Sequence, residues 1–337
     1  MINTETLNGI TNATVYKSFL KATEVLGKHK KIEVSVSGGA DSDIMLDLIE
    51  RCKAPHNEVR YLFANTGIEY RATLEHLDYL EKRYGITIER LKPEKPIPVA
   101  VKESGVPFLS KNVSEMIHRL QERGFKWENE TAEELETKYP RVREAIRWWT
   151  GTEKKMWTIG YNKHLREFLD ENPPPFPISS YCCDISKKAA LKKVIVTHDL
   201  QCVGMRQAEG GTRAKIKSCY LTGSAVAKFL PIFWYTNADK AYYEERFGIV
   251  HSRCYTQYGF KRTGCAGCPY NPNYEHELAI MEKYEPLLAK ACRNIFGKSY
   301  EFTKKYREFC KAREQEARVE KTGQQELNFW EEVELEN

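Results

Sequence analysis

Lys31-Ile-Glu-Val-Ser-Val-Ser-Gly-Gly-Ala-Asp-Ser42 is the stretch of sequence that decides the fold. From Ile32 to Val36 apolar residues alternate with polar ones, and this period of two predicts a strand. From Ile44 to Cys52 the apolar residues recur at helical spacing, which predicts a helix. The glycine turn between them can bring backbone amides and the positive end of a helix dipole to an anion. The pattern therefore predicts a phosphate-binding turn between a strand and a helix.

The same turn has a simpler interpretation, because Asp41 and Ser42 stand where a helix cap belongs. A capped turn needs no ligand, and two glycines alone do not decide between the interpretations. The order Ser37-Gly38-Gly39-Ala40-Asp41-Ser42 resembles the PP-loop of ATP pyrophosphatases. In that family the loop holds the β and γ phosphates of an ATP that is cleaved to AMP and pyrophosphate. The Gly-x-x-x-x-Gly-Lys-Ser/Thr sequence of the ordinary P-loop occurs nowhere in the chain, which excludes that class.

Strand and helix patterns alternate through the first third of the chain. Val59–Ala64 and Ile86–Leu91 predict two further strands, and residues 70–84 predict the helix between them. This alternation predicts right-handed βαβ units and a parallel sheet, whose ligands gather at the carboxyl ends of the strands. The turn Asn65-Thr66-Gly67 follows the second strand, so we expect it at the same edge as Ser37–Ser42.

Three parts are predicted along the chain: an N-terminal helix at 1–29, an α/β domain at 30–272, and a C-terminal helical region at 273–337. A charged helical insertion at 110–172 interrupts the α/β domain and is where recognition of an acceptor is expected. The acidic tail after Gly323 is predicted to be mobile. Large aromatic rings more often pack than bind ligands, so packing is predicted for the four tryptophans of the insertion, Trp127, Trp148, Trp149 and Trp157.

Composition limits the function classes. The chain has 337 residues, 41% of them hydrophobic, and 52 Lys+Arg against 47 Asp+Glu give a net charge of +5. That excess suits anionic ligands but does not by itself indicate nucleic-acid binding. Neither a signal-peptide pattern nor a run of 18 apolar residues occurs, which predicts a soluble cytoplasmic protein without a membrane partner. Ten cysteines in a reducing compartment indicate metal binding or redox chemistry rather than disulfides.

Two cysteine pairs stand out, Cys182-Cys183 and Cys265-Ala-Gly-Cys268. Four thiolates suit either tetrahedral zinc or a [4Fe–4S] cluster, and spacing alone does not separate the two. Cys254 is near enough in sequence to replace Cys182 as a ligand. Cys219 is either buried or a sulfur-carrying thiol, and core positions are predicted for Cys52, Cys202, Cys292 and Cys310.

The sequence around these cysteines resembles the assimilatory adenylyl-sulfate and phosphoadenylyl-sulfate reductases over roughly residues 30–272. The elements that carry the resemblance are Cys182-Cys183 with Lys187, Gly204-Met-Arg206 with Arg213, Phe63-Ala-Asn-Thr-Gly67 with Asn65 in place of Asp, Pro231–Thr236, Tyr258–Cys265 and Cys268-Pro269. The resemblance implies a Rossmann-like parallel sheet of the adenine nucleotide alpha-hydrolase type. It also implies a [4Fe–4S] cluster on the four paired cysteines, with Lys187 beside it and Arg206 and Arg213 on the anionic end of the substrate.

Two departures from those reductases matter. Their first loop is usually degenerate, because their nucleotide lacks β and γ phosphates, whereas Ser37–Ser42 is complete here. They also end in a mobile tail with a nucleophilic cysteine, and Gln324–Asn337 contains none. Both departures resemble the ATP-using branch of the family, whose members adenylate a substrate and then transfer sulfur to it.

The expected function is therefore cleavage of ATP to AMP and pyrophosphate, with Mg²⁺, to activate a substrate for sulfur transfer. A sulfonucleotide reductase and a nucleotide-binding redox sensor without turnover remain alternatives. Expected nucleotide-binding residues are Ser37, Gly38, Gly39, Asp41, Ser42, Asn65, Thr66 and Gly67; expected catalytic residues are Asp41 (holding Mg²⁺), Lys187, Arg206 and Arg213. Expected partners are an adenine nucleotide and a sulfur donor or thiol reductant. A nucleic-acid acceptor and a homo-oligomer are left open.

Overall fold

The computed structural model describes residues 7–152 and 158–335. Within that part of the chain one six-stranded sheet forms, in the order β3-β2-β1-β4-β6-β5. Neighbouring strands are parallel except for the antiparallel pair of β5 and β6. The strands are β1 (Lys31–Ser35), β2 (Glu58–Ala64), β3 (Ile88–Leu91), β4 (Leu200–Val203), β5 (Tyr220–Leu221) and β6 (Ala227–Phe229). The predicted α/β class with a mainly parallel sheet is confirmed.

Helices connect and follow these strands. A π-helix, Asp184–Lys188, begins directly after the cysteine pair. The α-helices are α1 (Ala13–Leu26), α2 (Ala40–Cys52), α3 (Arg71–Tyr84), α4 (Ile97–Ser104), α5 (Lys111–Gln121), α6 (Ala132–Lys138), α7 (Arg143–Thr150), α8 (Leu165–Glu171), α9 (Tyr181–Cys183), α10 (Ala189–Ile195), α11 (Asn237–Phe247), α12 (Arg253–Thr256), α13 (Tyr274–Tyr284) and α14 (Pro286–Leu335).

The alternating pattern of β1 separates two faces of the sheet. Ile32 and Val34 are fully buried in the hydrophobic core with α1 and α2. Glu33 and Ser35 point to the opposite face, as successive strand residues must. Burying the apolar face of the strand fixes its register, because a slip of one residue would turn Glu33 into the core.

The order of the strands creates a switch point at β1. The chain passes from β1 to β2 on one side, and returns to β4 on the other side of β1. In such sheets a crevice opens at the carboxyl ends of the two strands where the direction of winding reverses. Ser37–Ser42 follows β1 and Gly204-Met-Arg206 follows β4. The predicted phosphate-binding turn and Arg206, the arginine expected to contact the substrate, therefore belong to the same crevice.

The chain divides into two compact units. Unit 1 contains the sheet and consists of Met1–Ala100, Cys182–Cys268 and Glu275–Cys292; unit 2 consists of Val101–Tyr181, Pro269–Tyr274 and Arg293–Asn337. The predicted insertion at 110–172 falls inside the first segment of unit 2. The predicted C-terminal region at 273–337 is shared, since its part up to Cys292 belongs largely to unit 1.

The aromatic residues of unit 2 form its core. Trp148 and Trp149 are almost fully buried and Trp127 is 8% exposed. The rings of Trp127 and Trp149 lie edge to face with their centroids 5.6 Å apart, a favourable aromatic arrangement. Packing is thus confirmed for these three tryptophans, while Trp157 lies outside the described residues.

Helix α14 runs as far as Leu335 and includes Gly323, where the acidic tail was expected to begin. The tail is therefore helical as far as Leu335, and its mobility stays a prediction. Among the helices of the described chain, none has both the length and the apolar character that a membrane span requires.

Candidate functional site

The loop after β1 folds into a tight turn that requires glycine. Gly38 has φ +67°, and a Cβ there would come within 2.8 Å of the Thr73 side chain. The buried Ser42 hydroxyl accepts the Ser37 amide at 2.9 Å and so closes the loop. Gly39, in extended conformation, is the N-cap of α2. The predicted strand, turn and helix thus occur at the expected positions.

Three hydroxyl groups gather over Gly39. A Cβ at this position would lie 3.2 Å from Thr263 Oγ1 and 3.3 Å from both Ser37 Oγ and the Tyr255 hydroxyl. Tyr255 accepts the Ala40 amide at 3.1 Å and shares a 3.0 Å hydrogen bond with Thr263. Burial raises the pKa of Tyr255, so its hydroxyl stays protonated. Hydroxyl groups and the backbone amides at the start of a helix can donate hydrogen bonds to phosphate oxygens.

The loop opens into a cleft of about 790 Å³ within unit 1. Two carboxylates, Asp41 and Glu209, and nine basic residues line the cleft. This excess of positive charge favours a polyanionic ligand. The volume lies within the range of small-molecule and cofactor sites. The basic lining residues are Lys187, Lys188, Lys192, Arg206, Arg213, Lys228, Lys240, Lys261 and Arg262.

The interpretation of Asp41 as a helix cap is wrong. The N-cap is Gly39, and Asp41 lies in the first turn of α2 with its side chain directed to two cations. Its Oδ2 accepts from Arg206 Nε at 3.0 Å, and its Oδ1 lies 3.0 Å from Lys240 Nζ. Asp41 also lines the cleft. The Asp41 carboxylate therefore does not cap the helix, and it forms ion pairs with Arg206 and Lys240.

Arg206 is buried and fixed on several sides. Besides Asp41, its guanidinium donates to Asn237 Oδ1 at 3.0 Å and to the Tyr235 carbonyl at 3.4 Å. The Arg206 amide donates to Glu209, which also pairs with Arg213 at 3.5 Å. These contacts hold Arg206 in place beside the loop. Its predicted grip on the substrate stays a prediction, since the contacts described are with the protein itself.

The two loops at the switch point touch each other. A Cβ on Gly204 would lie 3.0 Å from the Asp41 carbonyl oxygen and 3.2 Å from the Cα atom of Ser42. Backbone atoms cannot move away cheaply, so a side chain at this position would push the loops apart. Gly204 therefore lets the β4 loop bring Arg206 up to Asp41.

A buried acid–histidine network lies behind the loop. Asp43, 1% exposed, faces His76 Nε2 at 3.0 Å and His251 Nδ1 at 2.8 Å. The other nitrogen of His251 is 2.8 Å from Glu244, which in turn is 3.7 Å from Lys240. Burial alone would lower the pKa of His251, but the hydrogen bonds with Asp43 and Glu244 raise it to about 9. His251 is therefore a cation between two carboxylates at neutral pH.

We expect this cation to make stability depend on pH. Because the folded-state pKa of about 9 lies above the ordinary value of 6.5, its contribution is full below pH 6.5 and disappears as pH rises through 9. The stability lost in a His251→Gln variant should therefore shrink between pH 6 and pH 9.5, by at most about 3 kcal/mol. Urea unfolding of both proteins at the two pH values measures this. An equal loss at both would show that His251 is not charged in the folded state.

A second buried carboxylate lies on the cleft side of the sheet. Glu33 on β1 is fully buried, and burial raises its pKa to about 7. Ser35 donates to it at 2.8 Å, and Gln201 donates to Ser35 at 3.2 Å. Ser35 and Gln201 line the cleft, as does Lys228, whose charge acts on Glu33. The cleft thus has a polar floor that the sequence patterns did not reveal.

The three residues of the second predicted turn do not line the cleft, although Ala64, which precedes them, does. Asn65 accepts the Gly67 amide at 3.0 Å, and the Thr66 hydroxyl donates to Glu69 at 2.6 Å. Thr66 is 1% exposed, and its hydroxyl lies 3.8 Å from the sulfur of Cys265. The turn therefore borders the cysteines, and a direct role of Asn65, Thr66 and Gly67 in nucleotide binding stays a prediction.

The four predicted metal ligands lie close enough to influence one another. A hydrogen bond with Cys183, burial, and the charges of Cys183, Cys268 and Cys265 together raise the pKa of Cys182. Burial raises the pKa of Cys265 to about 12, while the nearby charge of Lys187 opposes the rise. Lys187 also lines the cleft, so the residue whose charge acts on Cys265 belongs to the same cleft as the loop.

Four soft sulfur donors from two chain segments suit zinc or an iron–sulfur cluster. In the described part of the chain, however, no three His, Cys, Asp or Glu side chains lie where they could together hold a metal ion. Cys254 is buried elsewhere, with its sulfur 3.6 Å from Thr73 Oγ1. The surroundings therefore favour Cys182 over Cys254 as the fourth ligand.

Sequence reasoning missed several residues of the cleft. Tyr255 and Lys240 belong to no short motif, and they reach the loop through tertiary contacts between segments that are distant in sequence. Thr263 lies within the quoted stretch Tyr258–Cys265, so its hydroxyl could have been found there. A hydroxyl residue next to a recognised motif was the available signal.

A mainly parallel sheet with a glycine turn and a basic cleft at its switch point is the architecture of α/β nucleotide-binding folds. The sequence pattern of the phosphoadenosine phosphosulfate reductase domain matches residues 31–120 and 108–271 of this chain. The match covers well over half of the chain, and the chain belongs to this family.

Other similarities are weaker. An uncharacterized protein of Methanocaldococcus jannaschii is 27% identical over 244 residues, which are 71% of this chain and 36% of that protein. The chain therefore spans little more than a third of the length of this relative. A phosphoadenylyl-sulfate reductase from Candida auris has a TM-score of 0.40 at 14% identity, covering 79% of this chain and 96% of that one. A U34-tRNA thiolase from Methanococcus maripaludis, with its [4Fe-4S] cluster, has a TM-score of 0.37 at 15% identity, covering 89% of this chain and 81% of that one.

Proposed function

We propose that this chain cleaves ATP to AMP and pyrophosphate at the Ser37–Ser42 loop, and thereby activates a substrate for sulfur transfer. The observation that carries the proposal is the anion cradle at Gly39, where three hydroxyls and the start of α2 meet a cleft rich in cations. A cradle of this kind at a switch point suits a polyphosphate. Membership in a family of sulfonucleotide enzymes supports a role in sulfur chemistry.

In the proposed reaction an oxygen of the acceptor attacks the α phosphorus of ATP. The bond from that phosphorus to the bridging oxygen breaks, and pyrophosphate leaves with the electron pair. The acceptor then carries AMP, which leaves with the acceptor oxygen and its bonding electron pair when the incoming sulfur attacks. The hydroxyls of Ser37, Tyr255 and Thr263 would hold the departing phosphates. The Ser37 and Ala40 amides would join them by exchanging their present hydroxyl partners for phosphate oxygens. Lys240 and Arg206 would neutralise their charge, since both already lie 3.0 Å from Asp41 in the cleft. Catalysis would thus depend mainly on positioning and charge.

Asp41 would hold Mg²⁺ together with phosphate oxygens, the ligand set that this ion prefers. Binding the metal would require one of its oxygens to leave Arg206 or Lys240, and the released cation would then face the phosphates. Cys182, Cys183, Cys265 and Cys268 would hold a [4Fe–4S] cluster, which when bound would supply a site for the sulfur that is transferred. The sulfur donor, and a nucleic-acid acceptor among other acceptors, stay predictions.

A sulfonucleotide reductase is the second candidate, because the family is named for that activity. A reductase of this kind needs an exposed reactive thiol, and neither of the two cysteines of α14 has the properties of one. Cys292 is fully buried, and burial raises the pKa of Cys310. A low pKa and exposure are what a nucleophilic thiol requires.

Calorimetry with ATP and with phosphoadenylyl sulfate separates these candidates. We expect ATP with Mg²⁺ to bind at least about tenfold more tightly, because the loop offers donors to more phosphate oxygens than a sulfonucleotide carries there. Release of pyrophosphate, followed with candidate acceptors present, would then exclude a sensor without turnover. Tighter binding of the sulfonucleotide would instead favour the reductase.

A further inference from the structure

The turn Cys265-Ala-Gly-Cys268 is held in place by a later part of the chain. Gly267 adopts φ +59°, and its amide donates to Glu277 Oε1 at 3.1 Å. Glu277 lies on α13 and is 8% exposed, so this hydrogen bond is shielded from water. The Tyr70 hydroxyl donates to the same carboxylate oxygen. One buried carboxylate thus joins the cysteine turn to the residue that precedes α3.

Ala266 is the other residue between the two cysteines, and both its backbone amide and its carbonyl form hydrogen bonds. Its amide donates to the Ile68 carbonyl at 3.1 Å. Its carbonyl oxygen lies 3.3 Å from Cys292 Sγ, whose thiol donates to it. Ala266 and Cys292 are both fully buried. Both residues between the two cysteines are therefore held by named partners, and two of those partners lie in α13 and α14.

These two partners lie outside the segment that matches the family, which ends at residue 271. They nevertheless belong to unit 1, the same unit as all four paired cysteines. Neither is suited to be a ligand in place of those four, because Glu277 and Cys292 already bond the backbone of the turn. What they can fix is the conformation of the backbone that carries two sulfurs.

We propose that Glu277 and Cys292 are positioning residues, which hold the Cys265–Cys268 turn so that both thiolates face one metal centre. The inference rests on the proposed function for the identity of that centre as an iron–sulfur cluster. A metal-binding turn keeps its ligands only while its backbone is held, and partners behind the ligands affect metal affinity by about 10- to 100-fold. Without the Glu277 carboxylate, the buried Gly267 amide would lose its acceptor.

The test compares Glu277→Ala with Glu277→Gln. Each protein is purified without oxygen and assayed for iron and acid-labile sulfide, and then its rate of iron loss to an excess of chelator is followed. We expect the Ala variant to lose iron about 10- to 100-fold faster than the wild type. The Gln variant keeps an oxygen for the Gly267 amide and should lose iron at close to the wild-type rate. Glu275→Ala, which changes an exposed carboxylate on the same helix, serves as the control.

The outcomes separate this inference from the function on which it rests. Wild-type protein without iron and sulfide would refute the cluster itself. A wild-type cluster with equally slow iron loss from Glu277→Ala would overturn the positioning role alone, as would failure of Gln to rescue. Should Glu277→Ala fold poorly in thermal melts, Cys292→Ala replaces it, with Cys292→Ser keeping a donor for the Ala266 carbonyl. Fast iron loss from the Ala variant and slow loss from the Ser variant support the proposal; equal rates contradict it.

Discussion

Replacing Asp41 by asparagine is expected to lower pyrophosphate release by about 10²- to 10³-fold while leaving the fold and the iron content intact. The carboxylate lies 3.0 Å from both Arg206 and Lys240 at the mouth of the loop. Asparagine has nearly the same shape but no charge, so it cannot neutralise Mg²⁺ beside the phosphates. Since the N-cap of α2 is Gly39, no helix cap is lost.

The cost in stability should be small by comparison, about 1–2 kcal/mol for the charged hydrogen bond to Arg206. Arg206 keeps Asn237 and the Tyr235 carbonyl as partners in the variant. Chemical denaturation measures the stability, and pyrophosphate release with Mg²⁺ and candidate acceptors measures the chemistry. Asp78→Asn, an exposed change on α3, is the control. Near-wild-type turnover of Asp41→Asn would show that Asp41 takes no part in the reaction.

Replacing Cys268 by serine is expected to reduce iron from about four atoms per chain to almost none. Cys268 is one of the two thiols in the Cys-x-x-Cys turn, and its charge acts on Cys182 from the other pair. A cluster with three thiolates and a hydroxyl is held much less firmly, since iron in clusters prefers sulfur ligands. Anaerobic purification, an absorption spectrum and assays of iron and sulfide give the result.

Cys310→Ser is the matched control for this experiment. Cys310 lies in α14 within unit 2, and its sulfur contacts the Lys163 carbonyl at 3.5 Å. Its replacement should leave iron and sulfide unchanged. Stoichiometric zinc in the wild type, without acid-labile sulfide, would contradict the assignment of an iron–sulfur cluster and favour a structural zinc site instead.

The parts of the fold that depend on local pattern were predictable from the sequence. Alternation in β1 and helical spacing in α2 reflect the burial of one face each, and this signal is contained within a few residues. The position of the Ser37–Ser42 loop follows from those two elements. The identity of the N-cap did not follow, because the helix begins after Gly39, two residues before Asp41 and three before Ser42.

Contacts between distant segments were not predictable. His251 reaches Asp43 across 208 positions, and Tyr255 reaches Ala40 across 215. No short pattern encodes such pairs, because tertiary packing alone brings them together. The turn Asn65–Gly67 differs, because it follows a strand as expected and its side chains make local contacts with Gly67 and Glu69, two and three positions along the chain. Position at the sheet edge was predictable, whereas direction was not.

Unit 1 is assembled from three separated stretches of the chain, and this has a consequence during synthesis on the ribosome. Cys292, which holds the cysteine turn through the Ala266 carbonyl, is made roughly 110 residues after Cys182. At about 5–20 residues per second, the first cysteine pair waits on the order of 5 to 20 s before its unit can close. Throughout that interval the thiols are open to oxidation and to stray metal ions. A growing chain of this kind should therefore depend on a reducing environment, and the proposed cluster would be inserted only after translation has passed the first turns of α14.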